Sequence, residues 1–433
     1  MKLNWKNTFF VGLAFFLISA FWQGYDNIVS KVLNDTFELS DTWRGSVMAL
    51  DNVLALFMLP LFGMMSDKSK SRYGKRTPFI VVGTVVAAVA TVFVAFVADD
   101  ATRAKALGAD VSGKLPVFII VLFVTLVAMS IFRSPAVALM PDVTPKPLRS
   151  KANAVINLMG AVGGIIVLGL TAALYKSDGI IMPLYGAVSG LMLISLVAFL
   201  FTVKENKLVE NMKVECFKHG IPYDEPAPAE EGSKDTQRMP RPMLRSMMLL
   251  LSAVFLWFMA YNAVTTSFSV YAQDVWDKGG GDFAFPLMVA QGAAIIMFLP
   301  IGFISSKIGR KRTILIGIVL LGAAFGSSFL FKSYNAAILG FFALAGVGWA
   351  TINVNSYPMV VEMSKAGNVG RFTGFYYTAS MAAQILTPVL SGVFMDAWGR
   401  TVLFPYAVLF MALAFVAMLF VRHGDAAPIK SEA

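Results

Sequence analysis

Twelve long apolar stretches, separated by mostly short polar connections, limit the folds that this chain can adopt. Each stretch is long enough to cross roughly 30 Å of hydrocarbon as a helix rising 1.5 Å per residue. Only 14% of the 433 residues are charged and 57% are hydrophobic, which favours an integral membrane protein over a soluble one. We therefore expect an all-α membrane fold. Its predicted spans lie near residues 8–32, 44–66, 77–98, 115–140, 150–175, 181–203, 244–273, 283–305, 312–332, 334–362, 369–398 and 400–421.

Lysines and arginines are distributed unevenly between the two sides of these spans. With a cytoplasmic N-terminus, 26 of the 36 lie on the cytoplasmic side, 9 on the other, and Arg133 lies inside span 4. The positive-inside rule then places both termini in the cytoplasm. This distribution accounts for the net charge of +10 without a nucleic-acid partner. We expect a multi-pass protein of the plasma or inner membrane.

Residue types that serve enzymes are scarce. The only cysteine is Cys216, and His219 and His423 lie outside the apolar stretches. Cys216 and His219 have CxxH spacing, but two ligands do not make a metal site. There is no Walker A sequence for ATP and no catalytic constellation. We expect no enzyme activity, no metal and no cofactor.

The chain divides into two halves that repeat. Residues 204–243 are charged and proline-rich, which is typical of a cytoplasmic linker between six-helix bundles at 1–203 and 244–433. "GMMSDKSKSRYGKR" after span 2 corresponds to "GFISSKIGRKR" after span 8. "ALMPDVTPKPLRSKANA" after span 4 corresponds to "PMVVEMSKAGNVGRFTG" after span 10. Repeated halves around a central cavity are a recurring plan of transporters.

The first of these loops raises two alternatives. Its basic residues could serve orientation alone, but that leaves Gly63 and Asp67 unexplained. Gly63 would let two helices approach closely, and Asp67 would accept hydrogen bonds from Arg72 or from a helix N-terminus across the cleft. We expect a polar latch that forms in one conformation and breaks in another. Its candidate residues are Gly63, Asp67, Arg72, Gly74, Arg76, Asp142, Arg149, Gly302, Gly309, Arg310, Glu362 and Arg371.

"GMMSDKSKSRYGKR" resembles the loop signature of the major facilitator superfamily. The extra "SKS" is similar to the form found in sucrose:proton symporters, near the glycoside–pentoside–hexuronide:cation symporters. "RSPAVALMPDVTPKPLRSKANA" also resembles that sucrose group. The resemblance implies two bundles, a rocker-switch cycle, a functional monomer, and sugar uptake driven by a cation gradient.

Three charged residues stand out within the predicted spans: Asp26 in span 1, Asp51 in span 2 and Arg133 in span 4. A charge in hydrocarbon costs at least about 2.5–3.5 kcal/mol, so it usually faces a cavity or a partner. By the resemblance, Asp26 matches an acid that binds sugar, carries the proton, or both; alternatively span 1 ends early and Asp26 lies at the membrane surface. Asp51 is either a protonation site or a structural partner of Arg133.

Two positions bear on the coupling ion. By the resemblance, the melibiose-type sodium site would need carboxylates where this chain has Ala55 and Leu59, which favours protons over sodium. Arg133 stands one turn before Val137, where the sucrose group has its arginine, and a shift of four keeps the helix face. Arg133 would neutralise an aspartate, clamp a hydroxylated ligand, or form a purely structural ion pair.

Neutral polar and aromatic residues within the spans suit sugars, because rings pack on C–H faces while amides bond hydroxyls. Hydrogen bonding between helices is the alternative role for each one. The candidate cavity residues are Trp22, Gln23, Tyr25, Asn27, Asn153, Asn157, Tyr261, Asn262, Gln291, Asn353, Asn355, Tyr357, Tyr376, Tyr377 and Gln384.

Three functions are compatible with these features. The first is a proton-coupled symporter of a disaccharide or other glycoside. The second is a carrier of the same fold that exports its ligand or moves a lipid or amphiphile. The third is a membrane sensor that binds its ligand without transporting it. The resemblance favours the first.

Overall fold

The computed structural model describes residues 3–145, 148–220, 240–363 and 369–425. Within them, twelve helices are long and apolar enough to cross a membrane, so the predicted all-α fold is confirmed. We number them as spans in chain order. They cover Trp5–Asp35, Asp41–Asp67, Thr77–Ala106, Leu115–Val143, Arg149–Leu174, Met182–Thr202, Arg241–Trp276, Ala284–Ile308, Arg310–Phe329, Ala337–Glu362, Val369–Trp398 and Leu403–Leu419.

Helix pairing in the first six spans recurs in the last six. Spans 1/5, 1/6, 2/4, 3/4 and 3/6 pack together, and so do spans 7/11, 7/12, 8/10, 9/10 and 9/12. Spans 2/11, 5/8 and 1/7 join the two halves. Because the spans alternate in direction, we call the side that carries both ends of the chain the terminal face. The other side is the opposite face.

Three elements differ from the spans and the linker that the sequence predicts. Span 1 contains a π-helical turn at Tyr25–Val29, and span 2 starts at Asp41, earlier than expected, with a break at Ala49. Part of the expected linker is a helix, Glu205–Lys218. Met212 and Cys216, one turn apart, bury one side of that helix. Residues 221–239 of the linker lie outside the described residues.

The halves meet closely at the opposite face through glycine. A Cβ on Gly45 of span 2 would overlap the carbonyl of Pro388 in span 11, and one on Gly392 would overlap the carbonyl of Asp41. Small residues let helix backbones approach in this way. Spans 2 and 11 are therefore packed tightly where the polar contacts between the halves are found.

Candidate functional site

Asp26 lies in the π turn of span 1. Its neighbours Tyr25 and Asn27 are only 2% exposed, whereas Asp26 is half-buried. Span 1 continues as a helix to Asp35, beyond Asp26. A π turn adds a residue to the helix and often marks a functional site. Here it leaves a carboxylate accessible in the middle of a membrane helix.

Asp51 and Arg133 join Asp26 from two further spans. Asp51 is 9% exposed, and its Oδ1 accepts a 2.7 Å hydrogen bond from the side-chain amide of Asn52. The Arg133 guanidinium carbon lies 5.2 Å from the ring centroid of Trp22. Arg133 interacts electrostatically with both aspartates, and the aspartates with each other. Asp26, Asp51 and Arg133 are called the charged triad below.

The charged groups of the triad lie further apart than the partners of an ion pair. Within the described chain, no N–O distance of 4 Å or less joins Arg133 to Asp26 or Asp51, so a direct structural ion pair is not formed in this conformation. Trp22 instead supports the guanidinium through its ring face, as cations and aromatic rings commonly pair. The triad therefore keeps polar atoms available for a ligand.

The second half contributes aromatic rings opposite the triad. Tyr261 stacks on Trp349 with ring centroids 3.6 Å apart and the planes parallel within 2°. Tyr261 lies close enough to Asp26, and Tyr377 close enough to Arg133, for an electrostatic interaction between the halves. Trp349 was not predicted as a cavity residue, because a lone tryptophan among small apolar residues of span 10 is typical of ordinary helix packing.

Two glutamines meet beside the triad, one from each half. A Cβ on Gly164 of span 5 would lie 3.3 Å from Oε1 of Gln23 and 3.1 Å from Nε2 of Gln291. Gln291 also donates a 3.4 Å hydrogen bond to the Ala161 carbonyl. The glycine thus leaves room for both amides where spans 1, 5 and 8 approach one another.

A tyrosine cluster lies nearer the terminal face. Ring centroids of Tyr357 and Tyr376 are 5.5 Å apart, and those of Tyr376 and Tyr377 are 5.6 Å apart. The Tyr376 hydroxyl is 3.0 Å from the Ser356 hydroxyl. Tyr377 is 55% exposed, so this cluster opens toward a solvent-accessible space.

Several predicted cavity residues use their amides elsewhere. Asn27, Asn157, Asn355 and Gln384 each donate to a carbonyl one turn earlier in their own helix. Asn27 and Asn355 are also only 2% exposed, so they pack between helices and do not line open space. The remaining members are of mixed exposure: Asn153 is exposed, Asn353 is half-buried, and the amide nitrogen of Asn262 is buried without a hydrogen-bond partner among the described residues.

The predicted latch centres on Arg76. Its guanidinium pairs with Asp67 at 2.5 Å and Asp142 at 2.8 Å. The expected partner of Asp67, Arg72, instead donates to the Tyr73 hydroxyl at 2.6 Å, so that expectation is wrong. Gly63 does allow a close approach, because a Cβ there would lie 2.9 Å from the Ser134 hydroxyl.

The second half repeats this cluster around Arg310. Arg310 pairs with Glu362 at 3.0 Å, as Arg76 pairs with Asp142. In the first half, Arg149 at the start of span 5 donates to the carbonyls of Pro141 and Thr144. At Gly302 an added Cβ would meet nothing within 4 Å, so the close approach seen at Gly63 is not repeated. The side chain of Arg371 lies outside the described residues.

Two carboxylates that were not predicted from the sequence complete these clusters. Glu205 accepts hydrogen bonds from the backbone N–H groups of Arg76 and Thr77 at 2.8–3.1 Å, which caps the start of span 3. Asp425 accepts from the N–H of Arg310 at 2.6 Å, at the start of span 9. Anions suit helix N-termini. Each caps the helix after a glycine of positive φ, +118° at Gly74 and +92° at Gly309.

These clusters do not cross between the halves, contrary to the expectation for Asp67. Among the described residues, polar contacts between the halves lie at the opposite face, apart from Gln291 within the membrane. Lys31 of the first half contacts Gln273 of the second. Arg400 pairs with Asp41 at 3.1 Å, and Asp396 accepts from the backbone N–H of Asp41 at 2.8 Å. The structure is therefore closed at the opposite face.

Comparison with known sequences agrees with this arrangement. The sequence profile described as Major Facilitator Superfamily matches residues 11–301 and 279–433, nearly the whole chain. This chain belongs to the Major Facilitator Superfamily. The predicted membership is confirmed, and the family is one of transporters and not of enzymes.

Two plant relatives of this superfamily member are sucrose carriers by name. The chain is 30% identical over 146 residues to Sucrose transport protein SUC3 of Arabidopsis thaliana, and 30% identical over 131 residues to SUC4 of the same plant. These matches cover 30% and 29% of this chain. They span about a quarter of the relatives' own lengths, 23% and 25%.

Solved transporter structures share the superfamily fold at low sequence identity. A bacterial homologue of the iron transporter ferroportin, in an inward-facing state, has a TM-score of 0.70 at 15% identity, covering 96% of this chain and 99% of that one. A structure of the nucleoside transporter NupG gives 0.68 at 14%, covering 96% and 100%. The inward-open xylose transporter XylE from E. coli gives 0.63 at 15%, covering 98% and 96%.

Proposed function

We propose that this superfamily member is a proton-coupled symporter of a sugar, in particular a disaccharide or glycoside. The observation that carries the proposal is the charged triad of the first half facing the Tyr261–Trp349 stack of the second. A sugar presents C–H faces for the rings and hydroxyls for the charged groups. The partial matches to sucrose transport proteins support the same ligand class.

The charge of the triad provides a reason for proton coupling. With both aspartates ionised, Asp26, Asp51 and Arg133 sum to −1, and a neutral sugar does not change that sum. One proton brings the triad to zero, and uncompensated charge within a membrane is costly. We propose that the protonated, sugar-loaded triad is the form that passes between the two conformations.

The arrangement of contacts supports an alternating-access cycle. The positive-inside distribution favours a cytoplasmic terminal face, so closure at the opposite face corresponds to an inward-facing state. Opening to the outside would require the contacts of Arg400 and Lys31 to break. The chain would act as a monomer in the plasma or inner membrane, with both termini cytoplasmic.

Uptake into proteoliposomes tests the proposal. Purified protein is given labelled sucrose, glucose and a nucleoside in turn, with and without an inward proton gradient and without sodium. We expect one sugar class to accumulate only with the gradient. Nucleoside uptake without sugar uptake would contradict the ligand assignment, and accumulation that is indifferent to the gradient would contradict the coupling.

A further inference from the structure

A second cavity lies at the closed opposite face, apart from the charged triad. It has a volume of about 490 Å³, within the range of small-molecule sites. The first half contributes Lys31, Asp35, Tyr175 and the loop that follows, and the second half contributes Gln273 and Gly279–Gly280. We call this cavity the outer vestibule.

Close contact between the halves forms the walls of the outer vestibule. Gly280, at φ +54°, lies against the backbone of Lys176. A Cβ added to Gly280 would be 3.2 Å from the carbonyl carbon of Lys176. A Cβ on Gly281 would overlap the Thr171 carbonyl. Lys31, 1% exposed, reaches across to Gln273. In this closed arrangement, the walls of the cavity therefore come from both halves.

Most charges around the vestibule are already neutralised. Lys31 pairs with Asp35 at 3.5 Å, and Lys105 pairs with Glu38 at 2.6 Å. Lys105 also donates to the Asp35 carbonyl at 2.6 Å. The rim carries one further charge of each sign, Lys176 and Asp178. The site as a whole is thus balanced and does not favour a charged ligand.

What remains for a ligand is a small set of polar groups on the loop after span 5, beside Tyr175. Tyr175 is 3% exposed, and the Lys31 ammonium lies 5.8 Å from its ring centroid. Ser177 and Lys176 offer a hydroxyl and an ammonium group on this loop, and Asp178 offers the carboxylate oxygen that is not bonded to the Ile180 N–H. Such a mixture matches the hydroxyl groups of a neutral sugar.

We propose that the outer vestibule binds a neutral sugar while the opposite face is closed. The inference rests on the proposed function only for the choice of sugars as ligands. A ligand that both halves hold in the closed state, and that loses its site when they part, stabilises the closed state. A high external sugar concentration would therefore slow reopening and inhibit uptake.

Protection of an introduced thiol tests this site directly. Ser177→Cys is made in a Cys216→Ser background, purified in detergent, and its reaction rate with a maleimide is measured with sucrose, glucose or gluconate present. Sucrose or glucose should slow labelling in a saturable way, about tenfold at ten times the half-saturating concentration. Gly279→Cys, on the wall of the other half and with open space around its Cβ, provides an independent second position.

Ser112→Cys is the matched control, because Ser112 is exposed on the same face but does not line the cavity. Equal slowing at Ser112→Cys, no slowing at either vestibule position, faster labelling, or protection by gluconate alone would overturn the proposal. Parallel uptake assays separate the two proposals. Sugar uptake without protection rejects only the vestibule site, whereas protection without uptake rejects only the transport function.

Discussion

At the scale of single residues, three side chains of the first half carry charges that a membrane helix would otherwise avoid. Asp26, Asp51 and Arg133 were predictable because a charged side chain inside an apolar stretch is costly and stands out in the sequence. Their mutual position was not predictable, since it depends on the crossing of three helices. Trp349 gave no comparable signal, because an aromatic residue in hydrocarbon carries no such cost.

Replacing Arg133 tests the charge balance of the triad. Arg133→Ala should reach the membrane in normal amount and lose sugar uptake at least about a hundredfold, because two aspartates would remain without a cation. Arg133→Lys keeps the charge and should retain part of the activity. The measurement is initial uptake in proteoliposomes, normalised to protein. Normal uptake by Arg133→Ala would remove this residue from the site.

Neutralising the aspartates should separate coupling from transport. If Asp51 or Asp26 carries the proton, its Asn variant should lose gradient-driven accumulation yet still exchange labelled for unlabelled sugar, since exchange needs no net proton movement. Asp110→Asn, at an exposed position of the opposite face, is a control of the same chemistry outside the triad. If both triad variants accumulate sugar as the unmodified protein does, neither carboxylate is the coupling site.

Trp349 should contribute to ligand affinity and not to coupling. Removing an aromatic stacking partner costs about 0.5–1.5 kcal/mol, so Trp349→Ala should raise the half-saturating sugar concentration roughly two- to twelvefold. Trp349→Phe should show a smaller effect. Both variants should keep the proton dependence. An unchanged half-saturating concentration in Trp349→Ala would show that the stack does not contact the ligand.

At the scale of elements, carboxylate caps anchor two membrane helices at the terminal face. The sequence predicted the repeated basic clusters, because their letters recur after spans 2 and 8. It did not reveal Glu205 and Asp425, which come from distant segments after spans 6 and 12. The π turn of span 1 was also unpredictable, because its residues fit an ordinary helical pattern.

Gly74 should be needed for the first of these caps. An alanine there would combine an unfavourable φ of +118° with overlap on the Glu205 carboxylate. We expect Gly74→Ala to lower the free energy of unfolding by roughly 1–3 kcal/mol from the backbone strain alone. The measurement is thermal unfolding of the purified protein. Gly108→Ala is the matched control, because φ is +76° but no neighbour lies within 4 Å. Equal losses in the two variants would mean that contact with Glu205 adds nothing.

At the scale of the whole molecule, spans, repeat and charge distribution were predictable, whereas the conformation was not. Span number follows from hydropathy, and the repeat follows from two pairs of similar loops. The closed opposite face depends on contacts such as Arg400–Asp41, which join residues more than 300 positions apart. Hydropathy and loop motifs contain no information about which face of the molecule is closed.

Breaking the Arg400 contacts should shift the molecule toward opening at the opposite face. Spin labels at Ser177 and Lys332, one on each half, would report the separation in a Cys216→Ser background. Arg400→Ala should increase the population with longer distances, because Asp41 and Asp274 lose their shared partner. Arg422→Ala, at the terminal face, should leave the distances unchanged. An identical distribution in Arg400→Ala would show that this arginine does not hold the face closed.

The external pH, recorded as sugar is added to proteoliposomes without sodium, tests proton coupling directly. Proton symport predicts that one sugar class makes the medium alkaline, and that the signal disappears in the Asn variant of the coupling aspartate. Entry of labelled sugar without any pH change would contradict the central claim that the charged triad couples sugar movement to a proton.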